Sequence, residues 1–67
     1  MEIKLNNQIK LIDSGTTLSE IVTEQLGMQQ KGIAVAVNNT VIQKEFWRST
    51  QLKQNDDLII IKATQGG

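Results

Sequence analysis

The sequence predicts an α+β fold in which one helix packs on one face of a mixed β-sheet. Three observations carry this prediction: two short segments alternate apolar and polar residues, two others are apolar almost throughout, and one segment between capping signals has helical spacing. A chain of 67 residues has room for one core. Its single helix must therefore lie across the sheet to bury an apolar side.

The first two strands are predicted to form a β-hairpin. Apolar residues alternate with polar ones over residues 1–5, and Ile9 and Leu11 resume the alternation after Asn6 and Asn7. Asparagine accepts the positive φ values that a tight hairpin turn requires. The pattern therefore predicts a hairpin with one face buried.

The helix is predicted to begin after a turn that contains Gly15. Thr17 followed by Glu20 is typical of a capping box, and Gly27 is placed to end the helix. The apolar positions at helical spacing between these signals are Leu18, Ile21, Val22 and Leu26. This narrow stripe suits a helix that covers one face of a sheet. We assign Gly15, Thr17 and Glu20 structural roles only.

The second half of the chain is rich in strand signals. Residues 32–38 (GIAVAVN) place β-branched side chains on one side and alanines on the other, and an asparagine pair then predicts a turn into a short strand. The last strand runs from Leu58 to about Ala63, and its uninterrupted apolar run predicts a position near the centre of the sheet. The order strand–strand–helix–strand–strand favours the β-grasp arrangement.

Residues 45–52 (EFWRSTQL) predict an irregular stretch with one helical turn. At least one of its two aromatic residues, Phe46 and Trp47, should complete the core, and we favour Phe46 for this role. The flanking cations Lys44 and Arg48 either line the surface beside the C-terminal residues or are simply solvated.

The composition excludes several kinds of site. The chain has no cysteine and no histidine, which excludes disulfides, zinc-finger sites and catalysis by these side chains. Asp56 and Asp57 stand in the polar turn before the last strand. We expect both to face solvent, because a hard cation requires more oxygen ligands than one such pair supplies.

Charge and hydropathy also limit the partners. Seven basic and seven acidic residues give a formal net charge of zero, with no Lys/Arg cluster and only two aromatic residues to stack on bases. A nucleic-acid partner is therefore not expected. No apolar run approaches the roughly 18 residues that span a bilayer, and the start, MEIKLNN, lacks the order of a signal peptide. We expect no membrane association and a cytoplasmic location.

Residues 34–67 (AVAVNNTVIQKEFWRSTQLKQNDDLIIIKATQGG) resemble the second half of the ThiS family, the sulfur carrier proteins of thiamin biosynthesis. The shared features are Ala36-Val37-Asn38, Val41, Lys44, Trp47, Asn55-Asp56 and the final Gly66-Gly67. Gln43 stands where the family often has Pro, and Asn55 where it often has Gly. Both departures concern turn shape, and Asn is the best substitute for Gly at positive φ. The likeness covers the whole chain and implies a ubiquitin-like β-grasp fold.

The chemistry is predicted to lie in the C-terminal residues. We expect a folded domain over residues 1–62 and a flexible tail over residues 63–67 that ends in Gly66 and Gly67. A carboxylate at Gly67 is ionised and unreactive at neutral pH, so a partner must activate it, as adenylation by ATP with Mg²⁺ does. Attack by sulfur then gives a thiocarboxylate. Glycines can thread a narrow channel, and the five tail residues extend over roughly 16 Å.

The resemblance implies that the chain is a protein cosubstrate, not an enzyme, and that it binds no cofactor itself. The implied partners are a ThiF-like adenylating enzyme that uses ATP and Mg²⁺, a sulfur donor derived from a cysteine desulfurase, and a ThiG-like thiazole synthase. Three alternatives stay open: a small subunit of molybdopterin synthase, a ubiquitin-like modifier that forms an amide with a target lysine, and an interaction module with an inert tail.

The last strand also predicts a docking surface. Its residues alternate between the two sides of the sheet, and both sides are apolar, so the face without a helix should expose branched side chains to a partner. We expect the adenylating enzyme and the sulfur acceptor to compete for this face. The residues assigned to partner binding are Leu58, Ile60, Lys62, Thr64 and Gln65.

Overall fold

The structure is a computed structural model that describes residues 1–27 and 31–62. Its strands are β1 (Glu2–Leu5), β2 (Gln8–Leu11), β3 (Ile33–Val37), β4 (Thr40–Val41) and β5 (Asp57–Lys62). The helix α1 spans Leu18–Leu26, and a 3₁₀-helix spans Lys44–Ser49. The structure has five strands, one more than the predicted order strand–strand–helix–strand–strand, because the short β4 and the last strand are separate elements after β3.

The five strands form one mixed sheet in the order β2-β1-β5-β3-β4. β1 and β5 are parallel, and the remaining neighbours are antiparallel. α1 packs on one face, where it shares a core with β1, β3 and β5. This arrangement confirms the predicted α+β class, the β-grasp layout and the central position of the last strand.

The β1–β2 hairpin has the predicted turn, but its burial differs from the prediction. The two asparagines of the turn have φ values of 49° and 69°, as a two-residue hairpin loop requires. This loop pairs Lys4 with Ile9, which places the apolar residues of β2 on the opposite face from Ile3. Ile9 and Leu11 are accordingly 68% and 74% exposed. The prediction of a single buried face is therefore wrong for β2.

α1 has both of its predicted caps. The Thr17 hydroxyl accepts a hydrogen bond from the Glu20 N–H at 3.2 Å, and the Glu20 carboxylate accepts one from the Thr17 N–H at 3.1 Å. Gly27 ends the helix at a φ of 61°, and Gly15 has the positive φ expected of the preceding turn. In the described part of the chain, no helix combines the length and hydropathy needed to cross a membrane.

The 3₁₀-helix contributes Trp47 to the core and leaves Phe46 at the surface. Trp47 is nearly inaccessible to solvent, whereas Phe46 is 53% exposed. The indole Nε1 donates a hydrogen bond to the Ile42 carbonyl at 2.8 Å, so the buried ring leaves no polar atom unpaired. The expectation that Phe46 would complete the core is therefore wrong. The buried apolar residues are Ile3, Leu18, Ile21, Val22, Val35, Trp47, Leu52 and Leu58.

Candidate functional site

The last strand connects the centre of the sheet to the C-terminal residues. β5 pairs with β3 from Leu58 to Lys62 and with β1 at its first two residues. Lys62 is exposed and is the last residue that the structure describes. Outside the described residues lie Ala63, Thr64, Gln65, Gly66 and Gly67. The predicted tail, its glycine pair and the partner contacts assigned to Lys62, Thr64 and Gln65 therefore stay predictions.

Alternation along β5 separates a core side from an open side. Leu58 is completely buried, and Ile60 packs against the core from the same side. Ile59 and Ile61 point to the opposite face, where Ile61 is 57% exposed. The assignment of Leu58 and Ile60 to partner binding is therefore corrected. Leu58 lies in the core and Ile60 packs against it, and the apolar side chains of β5 on the open side are Ile59 and Ile61.

The neighbouring strands β3 and β4 extend the apolar surface of the open side. Ile61 pairs with Ala34, Ile59 pairs with Ala36, and Ala36 also pairs with Val41. Paired residues share a face, and the exposed apolar residues of β2 lie on this face as well. We call this surface the open face; its apolar members are Ile9, Leu11, Ala34, Ala36, Val41, Ile59 and Ile61. An exposed apolar surface of this kind is typical of an interaction site.

Side-chain hydrogen bonds fix the beginning of β5. The Asn38 amide donates to Asp56 Oδ1 at 2.9 Å and accepts from the Asp57 N–H at 2.9 Å. Asp56 Oδ2 also accepts from the Lys53 N–H at 2.8 Å. Asp56 is only 8% exposed, so the expectation that it would face solvent is wrong. Its carboxylate joins the β3–β4 turn to the loop before β5.

A further hydrogen bond supports β5 closer to its C-terminal end. Asn6 Oδ1 accepts from the Ile60 N–H at 2.8 Å, at a point where β1 has already ended at Leu5. The asparagine side chain thus replaces a strand partner for one more residue. β5 is therefore held to the hairpin turn on one side and to β3 on the other.

Several of the residues that carry the family resemblance in the middle of the chain have structural roles. Trp47 fills the core, and Asn38 and Asp56 form the network described above. Asn55 has a φ of 71°, as expected where glycine is common. Gln43 has a φ of −67°, a value that proline also adopts. These positions shape the domain, which leaves the C-terminal glycines and the open face as the candidates for function.

Two pairs of charged residues lie away from the open face. Lys44 and Arg48 are exposed on the 3₁₀-helix and line a groove beside α1; their predicted position beside the tail stays a prediction. On the helix side of the sheet, the hydrogen bond and the positive charge of Lys10 hold the pKa of Glu24 below its ordinary value. Within residues 1–27 and 31–62, no group of three acidic side chains could hold a metal ion.

Reasoning from the sequence missed the contribution of β2 to the open face. The available signal was the length of the hairpin loop. A two-residue loop pairs odd-numbered residues of one strand with even-numbered residues of the other, so Ile9 and Leu11 could not share a face with Ile3 and Leu5.

Comparison with known proteins supports a specific family. The model of the ThiS family matches residues 2–67. The sulfur carrier protein ThiS of Escherichia coli (strain K12) is 30% identical over 67 residues, and the match covers all of both chains. The crystal structure of thiamine biosynthesis protein ThiS from Geobacter metallireducens has a TM-score of 0.83 at 20% identity over all of both chains.

A second solved structure supports the same fold. The solution structure of a thiamine biosynthesis protein from Geobacter metallireducens has a TM-score of 0.78 at 20% identity. That match covers all of this chain and 88% of the other. At this level of identity, both solved structures establish the fold alone.

Proposed function

The chain belongs to the ThiS family, and on that premise we propose that it carries sulfur as a thiocarboxylate on Gly67 and donates it for thiazole formation in thiamin biosynthesis. The chain is then a protein cosubstrate. A ThiF-like enzyme adenylates the Gly67 carboxylate with ATP and Mg²⁺ and releases pyrophosphate. A desulfurase-derived persulfide then displaces AMP to give an acyl disulfide, and a thiol reductant cleaves that disulfide to the thiocarboxylate. A ThiG-like thiazole synthase takes up the sulfur. Adenylation turns one carboxylate oxygen into part of a leaving group, which the free carboxylate lacks.

The placement of Gly67 carries this proposal. It stands five residues beyond Lys62, the end of a central strand that neighbouring strands and Asn6 hold in place. An extended segment of this length reaches roughly 16 Å. The carboxylate can thus enter a partner's active site while the folded domain stays outside, and glycine adds no side chain to block it.

The decisive experiment incubates the chain with the adenylating enzyme of its own organism, ATP, Mg²⁺ and a sulfur donor. We expect intact-mass spectrometry to show replacement of one oxygen by sulfur at the C-terminus. A variant that lacks Gly67, or one with an amidated C-terminus, should show no conversion. An amide cross-link to a lysine instead of the sulfur product would indicate a ubiquitin-like modifier. If the variant that lacks Gly67 acts in the cell as the native chain does, the chain would be an interaction module with an inert tail.

We further propose that the adenylating enzyme and the sulfur acceptor bind the open face in turn. Ile59 and Ile61 are its apolar residues nearest to the tail on the same strand. The double variant Ile59→Asp/Ile61→Asp should reduce binding of the adenylating enzyme by at least tenfold in calorimetry, because it places two charges in an interface that must lose water. A circular dichroism spectrum like that of the native chain serves as the folding control. Unchanged binding would exclude the open face as the docking site.

A further inference from the structure

A polar notch interrupts the apolar open face between β1 and β5. Glu2 and Lys4 of β1 and Asp57 of β5 line it, together with Ile9 and Asn55. The notch has a volume of about 410 Å³. Lys4 and Asp57 are direct register partners on the neighbouring strands β1 and β5, so the notch lies between two inner strands of the sheet, at the beginning of β5.

Asp57 has an unusual environment within this notch. Its Oδ1 atom is inaccessible to solvent and has no hydrogen-bond partner in the described part of the chain. Its backbone N–H is held by the Asn38 side chain at 2.9 Å, which fixes the position of the residue. Although Lys4 is adjacent, the structure records no ion pair between the two in residues 1–27 and 31–62. An unpaired buried carboxylate oxygen destabilises a folded protein.

Apolar side chains lie on both flanks of the notch. Ile9 and Leu11 lie on the β2 side, and Ile59 and Ile61 lie further along β5. A partner that covers this face through its apolar flanks also removes the remaining water from Asp57. Because Oδ1 is already inaccessible, this water lies at Oδ2. Its loss makes an uncompensated carboxylate still more unfavourable, so a stable complex needs a donor at Oδ2.

We propose that Asp57, with Glu2 beside it, receives a basic side chain of the adenylating enzyme when that enzyme docks on the open face. This inference rests on the proposed function and specifies the chemistry of the partner surface. Two carboxylates against one ammonium leave the notch with a net negative charge. A guanidinium or ammonium group supplies the opposite charge and a donor for the accessible oxygen of Asp57, Oδ2, and a guanidinium can bind two carboxylates at once.

The test compares Asp57→Asn with Asp13→Asn, a matched change at an exposed carboxylate outside the notch. Calorimetry measures binding of each variant to the adenylating enzyme at low and high salt. We expect Asp57→Asn to weaken binding about tenfold or more and to reduce its salt dependence, whereas Asp13→Asn behaves as the native chain. Thermal unfolding of free Asp57→Asn should occur at the native temperature or above, because the substitution removes an unpaired charge. A merely structural role for Asp57 predicts a lower temperature.

Three outcomes would overturn this inference. Native-like affinity of Asp57→Asn would show that no partner cation binds there. Equal weakening by Lys4→Gln would show that Lys4 closes on Asp57 within the chain. Sedimentation that shows a dimer dissociated by Asp57→Asn would assign the notch to a second copy of the chain.

The proposed function is tested separately by sulfur incorporation into the native chain in the same preparations. Suppose that the native chain is converted to the thiocarboxylate and that Asp57→Asn reaches half of its maximal conversion rate at the same concentration as the native chain. Only the inference about Asp57 then fails. If the native chain is neither bound nor converted, the proposed function fails, and the inference about Asp57 fails with it.

Discussion

The two faces of the sheet use similar side chains for opposite purposes. On the helix side, Leu58 and Val35 are removed from water by α1 and stabilise the fold. On the open side, Ile61 and Val41 are equally apolar, yet they are 57% and 68% exposed. A small domain gains nothing in folding from apolar residues that stay in water. The open face is therefore best understood as a surface whose burial occurs in a complex.

Shortening a side chain on one side of β5 or on the other should give the largest difference in stability between two variants. Leu58→Ala should lower the free energy of unfolding by about 2–5 kcal/mol, because it leaves a cavity in the core. Ile61→Ala should lower it by less than about 1 kcal/mol, because the side chain is already exposed. Urea denaturation of both variants measures the difference. Similar losses in the two variants would contradict the assignment of the faces.

The same comparison of a buried with an exposed side chain can be made in the 3₁₀-helix, at the adjacent aromatic residues Trp47 and Phe46. Trp47→Phe should cost about 1–3 kcal/mol of stability, because the Ile42 carbonyl loses its donor in a partly buried site. Phe46→Leu should change stability by less than about 0.5 kcal/mol. Thermal unfolding compares the two variants. A larger effect at Phe46 would restore the interpretation that the sequence alone favoured.

The smallest expected effect lies on the helix side, at the ion pair between Lys10 and Glu24. Because the folded-state pKa of Glu24 is lowered, its contribution is present above the unfolded pKa and is lost as pH falls through the folded value. Lys10→Gln should therefore lower the melting temperature slightly at neutral pH. The difference from the native chain should vanish in acid, and it should shrink in high salt because the pair is solvent-exposed. A difference that grows in acid would contradict this sign.

Local signals in the sequence predicted the elements well. The capping box at Thr17 and Glu20 and the asparagine turns appear where the sequence placed them, because each depends on contacts within a few residues. The central position of β5 was also accessible, since an uninterrupted apolar run suits a strand with a neighbour on each side. The error at Phe46 has a different origin, because adjacent aromatic residues compete for one core position and no local rule selects between them.

The sequence by itself determined the element order, the turn chemistry and the position of the glycine pair relative to the last strand, because periodicity, capping and chain length are local properties. Only the tertiary structure decided which side of each strand meets the helix. That choice depends on pairing register, which a single residue of offset reverses for a whole strand. The observed register places Ile9, Ile61 and Asp57 on the open face and Leu58 in the core. Only one of these faces is buried, because one helix can cover only one side of the sheet.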